Sequence, residues 1–321
     1  MPGVARTWCS VDDLQHPHEF FSSFRTSPYD GGIAPRLSPR LWLEILLSDA
    51  QDTLIFQGFS NVDEIICLVL SRFTPAKVAF RGEGMKKNGE KMWVHHLKRW
   101  LLRPVNYLLY STIDNQEYMA QYAPSNAKVF HYPTVSNIFV TREQTDKSKI
   151  VVISSRLTQR KRIDLCLEFF ARAFPREYKL KVYGDGTDSD VKAIKTLALS
   201  LNLRDRLEFY GFTPQEQLLN ELDQAEWYMN LSDLDPSPKA LIEALACNCK
   251  VVISTGVGTH KDLAGLPHVS VINTKNLSEA IAHFQQSWDI LTTLDDETLG
   301  LPGAISISKC VETIDAIQKG V

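Results

Sequence analysis

The sequence predicts an α/β protein of two parallel-sheet domains, and three observations carry the prediction. Short, β-rich apolar runs alternate with amphipathic segments of ~10–15 residues along most of the chain, the rhythm of strands joined by crossover helices. Several of the strands run into glycine-bearing turns, as LKVY does into Gly184-Asp185-Gly186. A length of 321 residues suits about two domains of ordinary size, each burying its own core.

The second half is the more regular. From residue 149 it reads strand KIVVISS, helix RIDLCLEFFARAF, strand LKVY, helix DVKAIKTLALSLNL, strand LEFYG and helix QEQLLNEL. Strand EWYMNLS, helix PKALIEALAC and strands KVVIS and HVSVI follow. In the first helix Ile163, Cys166, Phe169, Phe170 and Ala173 recur at the spacing of one buried face. Strands of this kind suit a sheet covered on both sides, so residues 149–300 are expected to form a Rossmann-like domain.

Residues 1–136 repeat the rhythm as a second Rossmann-like domain. PRLWLEILLSD, VDEIICLVLSRF, WVHHLKRWLLR and DNQEYMAQYA read as helices, and TLIFQG, KVAFRGEG, NYLLYST and KVFHYP as strands. Residues 1–36, with a turn at Asp30-Gly31-Gly32, hold no β run ending in a glycine-rich loop, so this domain is expected to be shortened by its first βα unit. The polar stretch Ser136 to Ser148 is the expected linker. Leu301-Pro302-Gly303 breaks the chain before an amphipathic final helix, and residues 301–321 are expected to cross back to the first domain.

Composition excludes several classes. A formal net charge of −3 argues against nucleic acid as a partner, so any anion site is local. Cys9, Cys67, Cys166, Cys247, Cys249 and Cys310 are scattered, mostly within apolar patterns, as reduced thiols of a cytoplasmic protein are. No Cys/His cluster has the spacing of a zinc site. No apolar run approaches the roughly 18–20 residues of a membrane span, and the opening MPGVARTWCS lacks the apolar core of a signal peptide.

In open α/β sheets ligands bind at the carboxyl ends of strands, beside helix N-termini. Three segments fall at such places. SSRLTQRK follows KIVVIS, and its Arg156 and Lys161 suit a diphosphate as a bidentate fork and a point charge. On spacing alone, two solvated loop cations are the more ordinary reading. Gly184-Asp185-Gly186 permits a close backbone approach, though alone it signals only a turn. In SDLDPSPKALIEALAC a helix opens near Pro238, and the N–H groups of Lys239, Ala240 and Leu241 favour an anion there. Glu243, one turn inside, suits ribose hydroxyls or simply complements the helix dipole.

These segments in their order resemble glycosyltransferase family 4, of the GT-B superfamily (glycosyl transferases group 1), from Val151 to Asp262. The family's GR-x4-K loop is matched by Ser155-Arg156 through Lys161, its GDG by Gly184 to Gly186 and its F-x-G by Phe209-Tyr210-Gly211. Its E-x7-E segment is matched by Asp235 through Glu243-Ala244-Leu245-Ala246-Cys247-Asn248 and then Val251-Val252-Ile253-Ser254, followed by Gly256-Val257-Gly258. The resemblance implies the two-domain GT-B fold. It also implies a retaining transfer of a sugar from a nucleotide-diphosphate donor to a glycan or lipid-linked acceptor, in polysaccharide or other glycoconjugate assembly.

In its terms Arg156 and Lys161 hold the diphosphate, Asp235 takes the place of the acid that touches the donor sugar, and Glu243 holds the ribose. Ser155, Gly184, Asp185, Gly186 and the amides from Pro238 to Leu241 line the donor site, with Gly211 and Phe212 near the base. No metal or other cofactor is implied, the nucleotide sugar being a substrate.

The chain departs from that pattern in three ways. Asp235 is shorter than the usual glutamate and lacks the accompanying Gly-Phe-Gly; the first βα unit is missing; and the acceptor-side histidine has no counterpart, Arg81 or Glu83 standing in its segment. The first two suggest an alternative, a homologue that binds nucleotide or glycan without catalysing transfer. A further alternative is a metal-dependent enzyme, since Asp233-Leu234-Asp235 is a D-x-D suited to Mn2+ or Mg2+ with a diphosphate.

Finally, residues 85–103 carry Lys86, Lys87, Lys91, Lys98, Arg99 and Arg103 among Trp93, Leu97, Trp100, Leu101 and Leu102. A basic helix with tryptophans suits peripheral contact with the inner face of a membrane. A solvated basic face over a buried apolar stripe is the alternative.

Overall fold

The structure is a computed structural model that describes residues 38–59, 62–86, 90–135, 146–294, 305 and 307–319. The turn at Asp30-Gly31-Gly32, the shortened opening of the first domain, Cys9, Lys87, the expected linker from 136 to 145 and the Leu301-Pro302-Gly303 breaker lie outside the described residues. The chain separates into two compact units, Met1–Val78 and Ala79–Val321.

The first unit contains α1 (Pro39–Leu47), β1 (Thr53–Phe56), α2 (Val62–Leu70) and the opening residues of β2 (Lys77–Arg81). Proline at its start suits α1, because the first turn of a helix needs no N–H donor there. Asp63 is buried in the first turn of α2. It accepts the Ser38 backbone N–H at 3.0 Å and the Trp42 indole N–H at 2.7 Å, which ties the start of α1 to α2. Without those donors the buried carboxylate would be strongly unfavourable.

The second unit continues β2 and adds α3 (Met92–Leu101), β3 (Tyr107–Tyr110), α4 (Ile113–Ala120) and β4 (Lys128–His131). β2, β3 and β4 pair in parallel, in a four-stranded sheet of order β1-β2-β3-β4. The unit then forms β5 (Ser148–Ser154), α5 (Ile163–Ala173), β6 (Lys179–Tyr183), α6 (Asp188–Ser200), β7 (Leu207–Gly211) and α7 (Gln215–Gln224). After these come β8 (Ala225–Asn230), α8 (Lys239–Ala246), β9 (Lys250–Ser254), α9 (His260–Leu263), β10 (Val269–Ile272), α10 (Leu277–Gln286) and α11 (Trp288–Thr292). The six strands are all parallel, in the order β10-β9-β8-β5-β6-β7. The chain therefore builds outward from β5 in one direction, then from β8 in the other. The crevice between the carboxyl ends of those two strands is the topological switch point.

The apolar faces explain the layering. The predicted stripe of α5 is buried throughout, and it packs with Trp227, Phe284 and Phe174 in one core layer. Each large side chain so buried contributes roughly 1.5–3 kcal/mol. On the other face Leu219, Leu222, Leu241 and Leu245 from α7 and α8 cover Val152, Tyr228 and Val251. A last helix, α12 (Ile307–Lys319), reaches the four-stranded sheet, where Ile317 packs with Ala79, Tyr107 and Leu109. The Thr313 hydroxyl donates to the carbonyl of His131 at 2.7 Å.

All five described cysteines are buried, and none of them forms a disulfide. Burial pushes the Cys67 and Cys166 thiols up to about 12 and Cys249 to about 11, so none of these three is a nucleophile at neutral pH. Among the described residues no helix is long and apolar enough to cross a membrane.

Candidate functional site

Three loops meet at the switch point, held together by backbone bonds that only small residues allow. After β5 the Ser155 N–H donates to Tyr183 at 3.0 Å and the Leu157 N–H to Asp185 at 2.7 Å. After β6 the Gly184 N–H donates to Gly211 at 2.6 Å. Gly184 has φ +135°, and a Cβ there would stand 1.8 Å from the Ser155 carbonyl oxygen, so the close approach requires glycine. Ser155, Gly184, Asp185, Gly186 and Gly211 thus line one edge, with the Phe212 side chain exposed beside it.

Across the switch point the loop after β8 is fastened on both sides. The Asp233 N–H donates to the Arg160 carbonyl at 3.0 Å. The Asp235 N–H donates to Gly256, and the Gly258 N–H donates back to Asp235 at 2.8 Å. This short bridge holds Asp235 where the Lys161 ammonium reaches one of its oxygens at 2.5 Å. The Asn230 side-chain amide donates to that same oxygen at 3.0 Å, and Asn230 is itself oriented by Ser232.

The pair is largely shielded from water. Burial lowers the Lys161 pKa below the ordinary lysine value; Asp235 offsets part of that, while Arg160 and Arg156 push the same way as burial. Arg156 and Arg160 are exposed, and among the described residues neither side chain pairs with a carboxylate. The loop thus presents three cations against one carboxylate at the mouth of the crevice, an arrangement that attracts an anion.

At the start of α8 the Leu241 and Ile242 N–H groups donate to the Pro238 carbonyl. Leu241, expected to offer its amide to a ligand, has therefore spent it on the tight first turn. The N–H groups of Lys239 and Ala240 have no backbone acceptor among the described residues. Glu243 is buried on α8, accepting from the Gln215 side chain at 2.5 Å and lying 3.9 Å from the Lys239 ammonium. It does not join the Lys161–Asp235 pair. Tyr228 feels both carboxylates: burial first, then the charges of Asp235 and Glu243, hold its phenol well above its usual pKa.

Arg81 and Glu83, at the end of β2, form an ion pair at 2.9 Å. Arg81 donates to the Thr134 hydroxyl at 2.9 Å, and the Ser237 hydroxyl donates to that same oxygen. Ser237 lies two residues from Asp235, so a chain of hydrogen bonds joins the Arg81–Glu83 pair to the crevice loop.

The two aspartates of the D-x-D are held by different cations, Asp235 by Lys161 and Asp233 by Arg162 at 3.2 Å. Among the described residues no group of three or more His, Cys, Asp or Glu is placed to hold a metal ion.

Residues 136–294 match the family model for glycosyl transferases group 1. Just under half of the chain is thus similar to a group 1 glycosyltransferase domain. The chain is 28% identical over 188 residues to a phosphatidylinositol N-acetylglucosaminyltransferase subunit of Arabidopsis thaliana, covering 54% of this chain and 40% of that one. It is 23% identical over 193 residues to the phosphatidylinositol N-acetylglucosaminyltransferase GPI3 subunit of Saccharomyces cerevisiae, covering 57% of this chain and 41% of that one. The chain thus spans about two fifths of the length of these curated relatives. Among solved structures it is similar to the pneumococcal O-GlcNAc transferase GtfA in complex with UDP and GlcNAc. The TM-score is 0.66 at 14% identity, over 88% of this chain and 59% of that one. The fold is GT-B.

Sequence reasoning missed four polar residues that shape the switch-point crevice: Asn230, Gln215, Ser237 and, from the loop after β4, Thr134. Asn230 had a readable signal, being a polar side chain at the end of an apolar strand. Thr134 had none, because its partners are 53 and 103 residues away.

Proposed function

We propose that this chain is a retaining glycosyltransferase of family 4 type that uses a nucleoside diphosphate sugar, with UDP-N-acetylglucosamine the first donor to test. Its acceptor is a lipid-linked one, of the phosphatidylinositol kind, at the cytoplasmic face of a membrane. The observation that carries the reading is the cationic crevice at the switch point, where Lys161, Arg156 and the first amides of α8 converge. The names of the two curated relatives support the sugar and the lipid, and the UDP bound to GtfA supports the base.

In this reading residues 149–300 bind the donor and residues 1–136 the acceptor. Arg156, Lys161 and the Lys239 and Ala240 amides take the diphosphate. They stabilise the charge that grows on it as its bond to C1 of the sugar breaks; such preorganised donors are worth ~10²–10³ in rate apiece. The acceptor hydroxyl oxygen bonds to C1, and its proton leaves with the nucleoside diphosphate. Glu243, oriented by Gln215, accepts from the ribose hydroxyls, and Gly211 and Phe212 stand beside the base. Asp235 turns toward the donor sugar once a phosphate shares Lys161. Arg81 and Glu83 face the acceptor. Because protein cations serve the diphosphate, and Asp233 and Asp235 each have their own cation, no metal is required.

The test is thermal stability with UDP, GDP and ADP, with and without EDTA, followed by turnover of the UDP-sugars. UDP at about a hundred times its Kd should stabilise the fold by about 2.7 kcal/mol, with or without EDTA. Lys161→Ala should abolish that shift, and Lys161→Ala and Glu243→Ala should each cut turnover ~10²-fold or more. Near-normal turnover in both variants would overturn the site. A UDP shift with no turnover of any sugar would favour the non-catalytic binder, and activity lost in EDTA would restore the D-x-D reading.

A further inference from the structure

Three described residues other than glycine have a positive φ: Arg162, Asn202 and Asn248. Asparagine enters the left-handed region readily, its short side chain bonding the nearby backbone, whereas an arginine there is strained. Arg162, at φ +49° and ψ +46°, closes the 3-10 turn Gln159–Lys161 and starts α5. Its side chain makes no cap hydrogen bond to that helix. Local structure therefore gives no reason for arginine at this place, since glycine would take the same backbone without strain.

The guanidinium reaches two carboxylates instead. Its Nε and Nη2 form a fork on Asp164, in the first turn of α5, at 3.1 and 2.9 Å. Its Nη1 donates to both oxygens of Asp233, at 3.2 and 3.3 Å. Both acids are about half exposed, and ion pairs in such settings add little to stability. What the fork supplies is geometry: a planar guanidinium fixed on α5 by Asp164 holds Asp233 at a set distance and angle. The Asp233 N–H also donates to the Arg160 carbonyl at 3.0 Å. The loop after β8 is thus tied to the loop after β5 through the residues on either side of Lys161.

Lys161 and Asp235 pair within that frame. A diphosphate that draws Lys161 off Asp235 removes one link between the loops and leaves those of Arg160 and Arg162. We propose that Arg162 is a positioning residue of the crevice. By gripping Asp233 it keeps the two loops in register when Lys161 turns to the phosphate, so that Lys161 and Asp235 stay aimed at one donor. The inference rests on the donor site proposed above. Strained residues collect at ligand clamps, where the surrounding contacts over-determine them.

The experiment compares Arg162→Gly, Asp233→Ala and the double variant with the parent. Turnover of UDP-N-acetylglucosamine, or of the UDP-sugar that the parent uses best, gives kcat and KM separately, and thermal melting is followed alongside. Each single variant should lower kcat ~10–100-fold with KM nearly unchanged, because the reacting groups are misplaced in the bound complex. The double variant should be no worse than the worse single one, since both changes remove the same tether. Arg162→Gly should melt at or above the parent, because glycine relieves the positive φ and the lost pairs are exposed. The two substitutions change the local charge in opposite directions, so opposite effects on kcat would show a field acting on the diphosphate and would overturn the proposal. Parental kcat in either single variant, additive losses in the double, or a fall in melting temperature that accompanies the lost activity would overturn it too. Lys161→Ala separates the two failures. If it abolishes turnover while Arg162→Gly leaves turnover intact, the donor site stands and this inference falls; if neither matters, or the parent transfers no sugar, both fall.

Discussion

At the end of β8 one oxygen of Asp235 receives both the Lys161 ammonium and the Asn230 amide, in a setting nearly closed to water. Removing one partner of such a pair strands the other charge, a loss of order 3–5 kcal/mol in buried cases. The sequence offered Lys161 as a candidate by its place after a strand, and Asp235 by the resemblance of its segment to the E-x7-E motif. Their pairing was not legible, since two residues 74 positions apart come together only through the sheet. Asp262, at the end of α9, adds a pH-dependent case. Burial first, and the charge of Asp114, raise its carboxyl to about 6, although the Ile113 N–H donates to it. A folded-state pKa above the unfolded one means that its favourable contribution belongs to the protonated form. That contribution is complete below about pH 4 and is lost as pH rises through about 6. Asp262→Asn should therefore melt like the parent near pH ~4 and higher than the parent near pH ~8. Thermal melts at both values check this, and a variant less stable at the higher pH would refute it.

At the scale of elements, period and punctuation did most of the work. The buried stripe of α5 and the strand KVVIS are found where the pattern puts them, because a parallel strand covered on both faces has to be apolar throughout. Helices α9, α10 and α11 went unread. α9 has four residues and α11 five, too few for a period, and α10 buries only Ala280, Ile281 and Phe284. Loop geometry gives a sharp prediction. Gly184→Ala places a methyl 1.8 Å from a backbone oxygen at φ +135°, whereas Gly265, at φ +89°, has open space around its Cβ position. Gly265→Ala should cost about 1–2 kcal/mol from backbone strain alone. Gly184→Ala should cost at least ~3 kcal/mol, because the loops after β5 and β6 must also part. Urea midpoints of the two variants measure the difference, and equal losses would contradict the close approach.

On the scale of the whole molecule, the return of the chain to the four-stranded sheet matters most. Ile317 of α12 is 2% exposed and packs with Ala79, Tyr107 and Leu109, more than two hundred residues earlier in the chain. Ile317→Ala should destabilise by ~2–4 kcal/mol, as for other buried aliphatic truncations. Denaturant unfolding followed by fluorescence tests this; a loss below ~1 kcal/mol would mean that α12 merely rests on the sheet.

The sequence by itself determined the α/β class, the order of nearly all the strands and helices, and the motif positions that resemble those of group 1 glycosyltransferases. These are local properties: apolar period, turn residues and the spacing of charges after strands. Only the tertiary structure decided that β5 and β8 lie side by side, so that Lys161 meets Asp235 and the switch-point crevice forms between them. It also decided which face of α3 turns outward. The sequence shows tryptophans and lysines on one short helix. The choice between burying and exposing the tryptophans depended on Glu90, Tyr118 and Tyr122, which reach His95 and Lys98 from other elements. Hydrogen bonds between residues distant in sequence leave no trace in its periodicity, and so they become visible only in the folded chain.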